Sequence, residues 1–156
     1  MENKYLKSVL LICLTLLLCS CEQQVDEIVN NVQIISGPSC CTVSHNVSWN
    51  GNAVTLSDAG SKISFVSRLN GTLSFYYDCK NSANILVIRK NGDVVFNDYT
   101  YDRASVVIHN VQKDDKFTFV NKDVDSYYHD DYDIWVDNIK ITGSNDSNSN
   151  DPNWDF

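Results

Sequence analysis

Ile85-Leu86-Val87-Ile88-Arg89-Lys90-Asn91-Gly92-Asp93-Val94-Val95-Phe96 decides the fold class. Two apolar runs rich in β-branched residues flank Asn91-Gly92. Asn-Gly between such runs is the strongest short hairpin signal, because both central positions of the tight turn need positive φ. Upstream, Leu73-Ser74-Phe75-Tyr76-Tyr77 alternates with the period of two expected of a half-buried strand. Val54-Thr55-Leu56 and Ile63-Ser64-Phe65-Val66 precede it, and 105–111, 116–120 and 134–142 continue the pattern. No segment keeps an apolar stripe at helical spacing for three turns. About eight or nine strands, 8–12 residues apart, predict an all-β fold, a two-sheet antiparallel β-sandwich. Short strands and uneven loops favour it over a closed barrel. The inward set is then Leu56, Ile63, Phe65, Leu73, Phe75, Leu86, Ile88, Val106, Ile108, Phe117, Phe119 and Ile139.

Outside the strands the composition changes. Lys4 and Lys7 precede an apolar run from Val9 to Leu18, broken only by Thr15. It is too short for a mature membrane helix, which needs about 20 apolar residues, and reads as a signal peptide over 1–20. The run ends in Leu18-Cys19-Ser20-Cys21, which resembles the bacterial lipobox. That resemblance implies cleavage before Cys21, lipidation of Cys21 and a place in the cell envelope, at the outer membrane or cell surface. An ordinary secretory signal is the alternative. Residues 21–32 read as a tether, 33–143 as the β-sandwich domain, and 144–156, rich in Asn, Ser and Asp, as a flexible tail. Trp154 and Phe156 are the tail's two large aromatics.

Removing Glu2, Lys4 and Lys7 with the signal peptide leaves 10 basic and 19 acidic side chains, a formal charge of −9. Such a surface argues against nucleic acid as a partner and against a basic membrane-binding face, so membrane attachment falls to the lipid. Of the six cysteines, Cys40, Cys41 and Cys79 remain available in an oxidising compartment. A disulfide from Cys79 to Cys40 or Cys41 is expected, since neighbouring cysteines bridge only through a strained ring. A zinc site is the weaker alternative, because no Cys-x-x-Cys spacing occurs and the histidines are scattered.

Three stretches, in order, carry a further resemblance: 71–77 (Gly-Thr-Leu-Ser-Phe-Tyr-Tyr), 85–92 and 134–141 (Ile-Trp-Val-Asp-Asn-Ile-Lys-Ile). Together they resemble the galactose-binding-like and concanavalin-like jelly-roll modules of bacterial surface proteins. Carbohydrate-binding modules and cleaved-adhesin domains belong to this group. The resemblance covers roughly 33–143 and implies a jelly roll, while saying little about ligand. It also implies that Asp137 could help to hold a structural calcium, with Asp58 and nearby carbonyls as partners. Bonding of Asp137 to neighbouring amides, or a solvent-facing Asp137, is the other reading.

The 123–133 loop concentrates acids and aromatics. With Tyr127, Tyr128, Asp130, Asp131 and Tyr132, joined by Asp98, Tyr99 and Tyr101, it could form a glycan platform where rings stack on sugar faces and carboxylates accept hydroxyl hydrogens. A solvated acidic loop is the plain alternative, and as a calcium loop it lacks the glycine turn and late glutamate. Catalysis has little support. No acid pair is singled out as a glycosidase needs, and His45, His109 and His129 accompany no nucleophile motif. The leading expectation is a non-catalytic binding module of the cell envelope, for glycan or adhesion. A structural or assembly role through an envelope protein partner comes second and a small hydrolase third. No cofactor is implied beyond the possible calcium.

Overall fold

In the computed structural model, which describes residues 28–79, 83–124 and 133–144, the Asn-Gly hairpin forms as its sequence requires. Asn91 and Gly92 take φ of 54° and 100°. In chain order the strands are β1 (Ile28–Val29), β2 (Val32–Ile34), β3 (Thr42–Val43), β4 (Val47–Asn50), β5 (Ala53–Leu56) and β6 (Lys62–Val66). They continue as β7 (Gly71–Cys79), β8 (Asn84–Lys90), β9 (Asp93–Asp98), β10 (Ala104–Val111), β11 (Lys116–Asp123) and β12 (Ile134–Gly143). One 3-10 turn, Pro38–Cys40, is the helical content of the described residues.

Two antiparallel sheets result, and the molecule is a β-sandwich. Sheet A holds seven strands, with β12 at its centre: β7 and then β10 lie on one side, while β5–β4 and β2–β1 share the other. Sheet B has the order β3-β6-β11-β8-β9. The inner faces meet through Phe75 of sheet A and Phe119 of sheet B, whose ring centroids lie 5.0 Å apart, edge to face. Ten of the twelve expected inward residues are buried. Val106 and Ile108 are only half-buried, because β10 pairs with β7 alone and forms the edge of its sheet.

The strand count exceeds expectation through β1 to β4, pieces of two to four residues too short to display alternation. Among the described residues, strand structure is already present at Ile28–Val29, inside the stretch expected as a tether, where Asn30 and Asn31 at φ 52° and 63° close the β1–β2 turn. Gly71 is a packing requirement. A Cβ there would run into the backbone carbonyl of Thr142 on the adjacent β12.

Buried amides tie the sheets together. Asn121 on β11 donates from Nδ2 to the Leu56 carbonyl of β5 at 2.8 Å and accepts from Asn84 Nδ2 at 2.7 Å. Gln33 on β2 donates to the Val66 carbonyl at 3.0 Å and accepts from the Arg68 amide at 2.8 Å. Each satisfies polar groups that would otherwise be costly so deep in the sandwich.

The expected disulfide is not formed. Cys79 is a buried thiol at the inner end of β7, and Cys40 and Cys41 face each other with sulfurs 3.1 Å apart. Cys79 sits at a core position of an alternating strand, so its side chain is packing material first. Its amide is held by the Thr100 carbonyl at 2.7 Å.

Candidate functional site

The closing strand creates the site through a break in its own alternation. In β12, Ile134 and Val136 point inward, and so do Ile139 and Ile141, which a strict period of two cannot deliver. A bulge between Asp137 and Lys140 resolves the conflict, with Asn138 at φ 50° shifting the parity by one residue. It also divides the strand's partners: 134–137 pair with β5 and 140–142 with β2. Trp135 and Asp137 are thereby fixed on the outer face of sheet A.

The register then assembles their neighbours. Asp137 lies opposite Tyr76 on β7 and Ala53 on β5, while Trp135 lies opposite Asp78 and Thr55. Tyr76 and Trp135 are diagonal neighbours on one face, 41% and 46% exposed. Arg103, just before β10, closes the group. Its Nη2 donates to both carboxylate oxygens of Asp137, at 2.9 and 2.7 Å, and its guanidinium carbon lies 4.3 Å from the Tyr76 ring centroid. The ion pair and the cation–π contact hold Tyr76, Arg103 and Asp137 in one arrangement before any ligand arrives. A depression of about 240 Å³ is lined by Ala53, Tyr76, Tyr77, Asp78, Arg103, Trp135 and Asp137. It offers two ring surfaces, a guanidinium and two carboxylates on one open wall.

This differs from the expected platform. Tyr127, Tyr128, Asp130, Asp131 and Tyr132, like Cys21, lie outside the described residues. Asp98, Tyr99 and Tyr101 follow or end β9. The two tyrosines are 47% and 62% exposed, with their rings edge to face at 6.0 Å. Asp98 accepts from the Tyr99 amide at 2.8 Å and from the Tyr77 hydroxyl. Burial first, and then the Asp98 carboxylate, push the Tyr77 hydroxyl up to about 12. Of the 97–103 segment, the residue that lines the depression is Arg103 and not either tyrosine.

The carboxylate of Asp137 is answered by Arg103, and Asp58 is not its neighbour. Asp137 pairs with Ala53 at the start of β5, whereas Asp58 lies beyond the far end of that strand. Asp58 shapes the turn into β6, its amide donating to Ser61 Oγ at 2.9 Å. Among the described residues no three His, Cys, Asp or Glu side chains gather as metal ligands would. His45 and His109 are both exposed.

Tyr76, Asp78, Arg103 and Trp135 escaped the sequence reading. One signal was available for Trp135: between Ile134 and Val136 in an alternating strand, it must point opposite to two inward residues. Arg103 gave none, since its contacts with Tyr76 and Asp137 arise from strand pairing.

No protein-family model matches the chain, and no curated protein matches it. Solved structures do share its fold. A family two carbohydrate esterase from Cellvibrio japonicus matches with a TM-score of 0.55 and 11% identity, over 72% of this chain and 33% of that one. A secreted serine protease from Vibrio cholerae matches with a TM-score of 0.51 and 18% identity, over 65% of this chain and 25% of that one. The C-terminal CBM6 of a marine laminarinase from Zobellia galactanivorans gives 0.46 and 15%, over 72% and 99%. The chain thus spans a quarter to a third of the protease and the esterase. At these identities the likeness to the protease and the esterase bears on the fold alone, and many functions are built on one fold.

Proposed function

We propose that this protein is a non-catalytic glycan-binding module of the cell envelope, held at the membrane through a lipid on Cys21. In this reading the outer face of sheet A is the binding surface. The observation that carries it is the placement of Trp135 and Tyr76, both large and exposed, as diagonal neighbours beside the Arg103–Asp137 pair. Pyranose rings present an apolar C–H face to aromatic rings and a rim of hydroxyls to charged hydrogen-bonding groups. The wall supplies both, as small-ligand sites generally combine apolar surface with a few placed polar groups. Its openness suits a stretch of polysaccharide lying across the strands.

Affinity electrophoresis against a panel of neutral polysaccharides tests the reading. Retardation by at least one of them should be lost in Trp135→Ala and Tyr76→Ala, with the melting temperature nearly unchanged. If no polysaccharide retards the protein while it captures an envelope protein, the module is an assembly component instead. Loss of membrane association in Cys21→Ala checks the anchor separately.

A further inference from the structure

The opposite face of the sandwich carries a different chemistry. On sheet B the outward positions of β6, β8 and β11 include Lys62, Arg89, Lys116 and Lys122, all exposed. Pairing of Lys62 with Val120 makes Lys62 and Lys122 diagonal neighbours, and pairing of Thr118 with Arg89 does the same for Arg89 and Lys116. The acids of β9 and β11, Asp93, Asp98 and Asp123, pair with Lys90, Leu86 and Asn84, on the inward register. Among the described residues none of the four cations is in an ion pair; Lys90, which is, turns to the other side to meet Asp115. A chain with a net charge of −8 thus gathers on one sheet face four cations with which, among the described residues, no acid pairs. A mean acidity spread over the whole surface conceals this.

From this charge complementarity we infer that the outer face of sheet B binds an anionic polysaccharide, one bearing carboxylate, sulfate or phosphate groups at regular intervals. Three features favour a polymer over a small anion or a membrane. The two cation pairs sit at either end of β11, about 20 Å apart by strand rise, so a chain with repeated charges engages both and a single sugar acid engages one. Between them Ser64 Oγ and Thr118 Oγ1 lie 2.9 Å apart, a hydroxyl pair placed to exchange hydrogen bonds with sugar hydroxyls. A membrane-binding face would add aromatic or long aliphatic groups for insertion, whereas the apolar side chains near the patch are Val66, Val87, Val94, Val120 and Ile85. This site is separate from the proposed neutral-glycan wall, so one module could hold two kinds of chain on its two faces.

Calorimetric titration of the full chain with polygalacturonate, dextran sulfate and neutral dextran at increasing sodium chloride tests this. Polygalacturonate or dextran sulfate should bind, dextran should not, and affinity should fall steeply with salt as counterions are released. Lys62→Glu with Lys122→Glu should weaken polyanion binding roughly tenfold or more. The melting temperature should move little, whereas Trp135→Ala should leave polyanion binding intact. Binding unchanged by the double reversal overturns the inference. So does binding to phosphatidylglycerol vesicles or duplex DNA with none to the polysaccharides. Because the two faces are probed by different variants and ligands, failure of either proposal leaves the other standing.

Discussion

Arg103 and Asp137, 34 residues apart, meet through both carboxylate oxygens on the outer face of sheet A, with the guanidinium 4.3 Å from the Tyr76 ring. The pair is open to water, the two side chains being 54% and 31% exposed. Exposed ion pairs contribute at most about 1 kcal/mol, so its value lies in holding Tyr76 and the carboxylate in place. Arg103→Ala is expected to change stability by less than about 1 kcal/mol. In the proposed function it lowers glycan affinity about as much as Asp137→Ala does. Chemical denaturation beside affinity electrophoresis separates the two effects, and a large stability loss with unaltered binding contradicts the assignment.

The Asn121 amide has the opposite balance, because it is fully buried between the sheets. Asn121→Ala strands the Leu56 carbonyl and one hydrogen-bonding group of Asn84. A loss of about 2–4 kcal/mol in urea unfolding is expected, before any cavity cost. Ser64→Ala, which removes a half-buried surface hydroxyl, should cost less than a third of that.

Asp115 gives the protein an acid-sensitive contact. Burial pushes its carboxyl up, but Lys90 at 2.8 Å, the Gln112 amide at 2.7 Å and Asn91 Nδ2 at 2.7 Å outweigh this and hold it below the usual range. A folded value below the unfolded one means stabilisation present above about pH 4. That stabilisation is lost as pH falls through the folded value. Asp115→Asn should therefore be less stable than the parent at pH 7, and the gap should narrow below about pH 4. A gap independent of pH contradicts this.

Cys79 should behave as a core residue. Its thiol is pushed up chiefly by burial, so little thiolate exists near neutrality. Maleimide should leave Cys79 unmodified in the native protein and label it rapidly in urea without prior reduction. A peptide joining Cys79 to Cys40 or Cys41 in an unreduced digest would show a bridge that the structure lacks.

The sequence by itself determined the β-sandwich, the Asn91-Gly92 hairpin and most of the core. These depend on local chemistry: alternation separates buried from exposed, and a turn needing positive φ selects Asn and Gly. It left β1 to β4 obscure, since two to four residues carry no period, and it missed the bulge that keeps Ile139 inward. The wall proposed to bind glycan was decided by tertiary structure alone. Tyr76, Arg103 and Trp135 come from three separate segments, and only the register of β7, β10 and β12 brings them beside Asp137. The same is true of the cations on sheet B. Net charge is a sum over the chain, whereas a partner meets the charge of one face, and strand pairing determines which side chains share it.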